Sequence, residues 1–219
     1  SGGNYNTVVG DEAGTALTTG DANVALGYAA LDALSTGINN TTVGWSSGGA
    51  LTQGTRNTAI GYASLDADTL GSKSTALGYS ALGVQNFTTA TDSFNVAVGH
   101  ETGAAVTTGI KNTLIGGLAA DRLTDADFNT AIGYGTLSTD TLGSKSTAIG
   151  TFALEAQNFT TATDSHNTAV GYLAGGAVTT GNKNTLIGSQ TGDAITNGDN
   201  NVALGHSALG ADTLGEKSV

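Results

Sequence analysis

An all-β chain wound as a parallel β-solenoid, a β-roll or β-helix of about twelve coils, is what this sequence predicts, and three observations carry the prediction. First, a short motif recurs: Asn or Ser, then Thr or Val, a mostly small residue, an aliphatic residue and Gly. Its glycine falls at Gly10, Gly27, Gly44, Gly61, Gly78, Gly99, Gly116, Gly133, Gly150, Gly171, Gly188 and Gly205, at intervals of 17 or 21 residues. Second, the motif alternates with a period of two, which belongs to strands rather than helices. Third, the chain has 34 glycines and no proline, and glycine together with β-branched residues disfavours helix at about 0.5–1 kcal/mol per position.

Each coil can be justified residue by residue. The position before the motif glycine holds Val9, Leu26, Val43, Ile60, Leu77, Val98, Ile115, Ile132, Ile149, Val170, Ile187 and Leu204. It is aliphatic without exception, and the expectation is that this row forms the structural core. Two residues earlier stands Thr or Val throughout, on the same face of the strand and β-branched. A second aliphatic follows, as at Leu34, Leu51 and Val106, and a glycine such as Gly37, Gly54 or Gly109 then marks the next corner. One coil cannot bury its apolar face alone, so stacking must supply the core. An Ile60→Asp change is accordingly expected to destabilise neighbouring coils.

The asparagine opening the motif recurs as Asn6, Asn23, Asn40, Asn57, Asn95, Asn112, Asn129, Asn167, Asn184 and Asn201, with Ser74 and Ser146 in its place in two coils. Stacked about 4.8 Å apart, these amides are expected to form a ladder along the axis. Twelve coils at that rise make a rod roughly 55–60 Å long.

A longer unit overlies the short one. Residues 57–128 align without gaps on 129–200, matching at 47 of 72 positions, while 1–56 and 201–219 are partial units. The chain therefore reads as a single repeat domain over 1–219, expected to be a segment of a longer fibre able to stack end to end. The most informative irregularity is the inserted corner, where nine residues from Gln85 to Ser93 recur unchanged from Gln157 to Ser165. Such identity suggests a shared task. Phe87, Asp92, Phe159 and Asp164 are the candidates for an interface or binding loop, with inter-chain packing through the two phenylalanines favoured over contact with a receptor or glycan.

Composition excludes other classes. Eighteen acidic against seven basic residues give a net charge of −11, which repels phosphate backbones and argues against nucleic acid. No apolar run approaches the ~18 residues a membrane helix needs, so this segment is not expected to insert into a membrane. With no cysteine there is neither disulfide nor thiolate metal site. No enzyme is expected, and no cofactor or metal: His100 and His206 take a position held elsewhere by Tyr28, Trp45, Tyr62, Tyr79, Tyr134 and Tyr172, and His166 matches Phe94 one unit earlier. The acidic residues, Asp66 and Asp68 among them, lack calcium-loop spacing and read as solvated corners. Thr-Thr-Gly runs such as Thr18-Thr19-Gly20 are too sparse to tile an ice-binding face.

The stretches Asn57-Thr58-Ala59-Ile60-Gly61-Tyr62 and Asn167-Thr168-Ala169-Val170-Gly171-Tyr172 resemble the head repeats of trimeric autotransporter adhesins, and more closely the repeats of phage tail-fibre proteins. The likeness extends over essentially the whole chain, although the coil is longer than that of the adhesin heads. It implies three chains side by side in a homotrimer on a cell surface or virion, and a structural role in an extracellular fibre, adhesin or surface filament. The alternative is a module that binds a cell-surface glycan or receptor through exposed loops.

Overall fold

The computed structural model describes residues 3–218 and contains strands and turns only. Twelve strands of three residues, beginning Thr7–Val9, Val24–Leu26 and Thr41–Val43 and ending with Val202–Leu204, hydrogen-bond in chain order into one 12-stranded sheet. Every pairing is parallel and joins equivalent positions of successive coils, as in Thr58↔Thr75, Ala59↔Ala76 and Ile60↔Leu77. Two small sheets pair Gly71–Ser72 with Thr91–Asp92 and Gly143–Ser144 with Thr163–Asp164, where a 17-residue coil meets a 21-residue one. The motif glycines have φ between +118° and +140°. At Gly61 an added Cβ would overlap the carbonyl of Gly78 in the next coil, so this column admits no side chain.

The core is not the row that the alternation suggests. The aliphatic row lies on the outer face of the sheet: Val9, Leu26, Ile60, Ile115, Ile187 and Leu204 are exposed, and Val43, Leu77, Val98, Ile132, Ile149 and Val170 are half-buried. The middle residue of each strand points inward instead, and Ala59, Ala76, Ala97, Leu114, Ala131, Ala148, Ala169 and Leu186 are completely buried. Period two establishes that the residues at the strand ends share a face, but not which face. Volume decides it. The turn delivers a buried leucine four residues after the motif glycine, such as Leu31, Leu65, Leu82 or Leu137, and a second buried residue such as Leu34, Leu51 or Val106 comes seven residues after the glycine. A short coil closed around these has room for one small strand side chain and none for two large ones.

The packing shows that trade directly. Where the inward strand residue is Leu114 or Leu186, the turn position is Gly103 or Gly175, and a Cβ on either glycine would lie 2.8 Å from the leucine's Cδ1. Where the strand offers Ala76, Ala97 or Ala148, the turn supplies Leu65, Leu82 or Leu137. Those three leucines hold φ near +50°, a conformation costing an L-residue about 1–2 kcal/mol, which burial of the side chain by about 1.5–3 kcal/mol offsets.

Candidate functional site

Along one corner of the coil the ten asparagines form a continuous internal column. Asn40 is typical: its Oδ1 accepts the backbone N–H of Asn57 at 3.0 Å, and its Nδ2 donates to the Gly54 carbonyl at 2.9 Å and to Asn23 Oδ1 at 3.1 Å. From Asn23 to Asn201 these side chains are essentially inaccessible to water, and Asn6 at the open end is partly covered. The amides thus satisfy backbone groups that the narrow corner would otherwise bury unpaired.

Where serine replaces asparagine, a polar insert carries the column across. Gln85 Nε2 donates to Ser74 Oγ at 2.9 Å and to Asp68 Oδ2 at 2.7 Å, while its Oε1 accepts from Asn95 Nδ2 at 2.8 Å. Asp68 Oδ1 accepts the N–H groups of Gly71 and Phe87, at 3.0 and 3.1 Å. The next unit repeats the arrangement with Asp140, Ser146, Gln157 and Asn167. Asp68 and Asp140 occupy the core position that Leu51 and Leu123 fill in other coils, so Asp68 is a buried group and not a solvated corner. The sequence carried a signal for this: serine in the asparagine slot, aspartate in the aliphatic slot and glutamine one coil later coincide with both insertions.

The insert corrects the expectation for the long corner. Phe87 and Phe159 are only 5% and 6% exposed and belong to their own chain's interior, so neither is available as an inter-chain anchor. Phe159 lies against Gly143, 2.8 Å from the place of an absent Cβ, beside the Asp140 cluster. The reason is that the insertion, after its exposed Thr88-Thr89-Ala90, turns back to pair with the preceding coil through Thr91–Asp92, and the next unit does the same through Thr163–Asp164. Asp92 and Asp164 do stay exposed, and they bind Lys73 and Lys145 at 2.6 and 2.5 Å.

Burial raises the Asp68 carboxyl above its ordinary value, against the lowering effect of its hydrogen bonds. The folded chain therefore binds this proton more tightly than the unfolded chain. Its contribution is fully present below the unfolded carboxylate value and is lost as pH rises through the raised folded one. Removing the group by Asp68→Asn should flatten this slope. Urea midpoints measured from pH 3 to pH 7 should fall with pH more steeply for the native chain than for the variant, and parallel curves would contradict it.

Three features face outward. The sheet presents the aliphatic row beside the Thr/Val row, both on one face. At one edge Tyr28, Trp45, Tyr62, Tyr79 and His100 stack with ring centroids 4.8–5.8 Å apart, and the stack stops at Gly117. The corner just before the asparagines holds Arg56, Lys73, Lys111, Lys145, Lys183 and Lys217, six of the seven basic residues, with the Lys73 and Lys111 ammonium groups 4.8 and 4.9 Å from the ring centres of Phe94 and Phe128.

The three histidines lie apart. His100 stacks on Tyr79, His206 Nδ1 is 3.0 Å from Ser207 Oγ, and His166 is an exposed corner residue. Among the described residues no three acidic or histidine side chains converge as metal ligands, and no helix is long and apolar enough to cross a membrane. No family model, curated protein or solved structure matches this chain.

Proposed function

We propose that this chain is a structural repeat segment of an extracellular or virion fibre, of the tail-fibre, adhesin or surface-filament kind, in which three copies pack side by side. The observation that carries the reading is the aliphatic row left outside its own fold. Ile60 is 40% exposed and Leu26 45%, in a row that is aliphatic in every coil and flanked by β-branched residues. A contiguous apolar strip of this kind marks an interaction surface.

Self-association is the occupant favoured by dimensions and charge. A strip roughly 55 Å long and about 12 Å wide offers on the order of 700 Å² per copy, close to the ~800 Å² per partner of a standard stable interface. The strip itself is free of charge, so two copies meet without burying an ion, whereas the rest of the surface carries the net −11. The uninterrupted register of the sheet and the buried amide column suit a rod whose task is to span distance. A receptor- or glycan-binding role for the long corner loses support, because its aromatic residues are turned inward and its exposed tip is the uncharged Thr88-Thr89-Ala90.

Sedimentation equilibrium tests this reading. The native chain should sediment at three times its own mass, and Ile60→Asp combined with Ile132→Asp should reduce that to a single chain with an unchanged circular dichroism spectrum. A native chain that stays monomeric at high concentration, or a double variant that still assembles, would overturn it.

A further inference from the structure

In a chain of near-identical coils, the residues that break the pattern are informative when they meet in space. They do so in the coils that begin at Gly116, Gly133 and Gly150. Compared with positions 72 residues earlier, Asp121 stands in place of Gly49, at a coil position that is also aspartate at Asp32, Asp66 and Asp193, while Arg122 replaces Ala50, Phe152 replaces Ser80, Glu155 replaces Gly83, and Gly117 replaces Trp45 of the aromatic stack. Asp121, Arg122, Phe152 and Glu155 line one cleft of about 270 Å³, together with Tyr134 and Ser138. Arg122 is also the one basic residue outside the corner row.

The walls have distinct chemistry. Tyr134 and Phe152 meet edge to face, their ring centres 5.6 Å apart and their planes at 82°. Gly135 makes this possible: it holds φ +60°, and a Cβ there would be 2.7 Å from Phe152 Cε1. Asp121 Oδ1 is buried without a hydrogen-bond partner, the one such side-chain atom among the described residues. Burial raises the Asp121 carboxyl above its ordinary value.

We infer that this cleft binds a single uncharged pyranose unit of a glycan, its C–H face on the Tyr134–Phe152 pair and its hydroxyls on Asp121, Glu155 and Arg122. Ring faces suit the apolar side of a sugar. The carboxylates of Asp121 and Glu155 accept from hydroxyls, and the guanidinium donates to a ring or hydroxyl oxygen. An anionic ligand would meet two carboxylates against one guanidinium, and a bare cation would meet Arg122. The volume lies just under the 300–1,000 Å³ or so of sites for drug-sized ligands, as befits one sugar ring. The cleft is built from one chain only, so this inference stands or falls separately from the side-by-side assembly.

Saturation-transfer difference NMR on the full chain, with methyl glucoside, methyl galactoside and N-acetylglucosamine as probes, tests it. The comparison is the double variant Arg122→Ala with Phe152→Ser, two residues that the preceding unit already accommodates at Ala50 and Ser80. Transfer to the ring protons of at least one sugar is expected, with millimolar affinity and about tenfold weaker binding in the variant. No transfer to any of the three, or equal transfer in the variant, would overturn it.

Discussion

Replacing Asn112 by alanine is expected to destabilise the chain by about 2–5 kcal/mol, far more than the ~1 kcal/mol of an average substitution. The side chain accepts the Asn129 N–H at 2.9 Å and donates to the Ala126 carbonyl at 2.7 Å. Alanine would leave a buried donor and a buried acceptor unpaired where water has no access, since Asn112 is completely buried. The same change at Asn6, half-covered at the open end of the column, should cost about 1 kcal/mol or less. Hydrogen exchange should localise the loss. Stability in a stack passes between neighbours, so the coils holding Asn95 and Asn129 should lose protection before distant ones. Urea unfolding that shows equal small losses for the two variants would contradict the account.

The second large effect separates two adjacent residues. Ala59→Asp places a carboxylate in a fully buried position of the apolar core, with no cation to pair, and should cost several kcal/mol or abolish folding of the surrounding coils. Ile60→Asp, one residue on, puts the same group on a face that is 40% exposed, and should change the stability of an isolated chain by no more than about 1 kcal/mol. Alternation alone ranks these the other way round. Thermal unfolding of both variants at low concentration, where chains are separate, checks the order; a severe loss at Ile60 with a mild one at Ala59 would reverse the assignment of inside and outside.

These two variants also show how far the residues speak for themselves. The solenoid, its coil length, its parallel register and the asparagine column follow from repetition, because a side chain repeated once per coil must lie over its own copy. The inward face does not follow. Val, Ile and Leu before the glycine look like core, and only the competing volumes of Leu65, Leu82 and Leu137 from the turns show that the lumen is already full. A further clue lay in the reciprocal placing of Gly103 with Leu114 and Gly175 with Leu186, eleven residues apart in each case. Phe87 misled for a related reason: an aromatic in the longest corner suggests protrusion, but two residues of strand pairing at Thr91–Asp92 fold the insertion back. The cleft at Asp121 was beyond reach of the linear pattern, since its walls come from three coils.

Electron cryomicroscopy of the assembled protein distinguishes a side-by-side fibre from a solitary solenoid. Rods are expected with layers about 4.8 Å apart, a three-fold axis, and the face carrying Ile60, Ile132 and Ile149 turned toward that axis, with the stack of Tyr62 and Tyr79 at its edge. Rods in which this aliphatic face meets solvent while another surface forms the contact, or separate single chains, would contradict it.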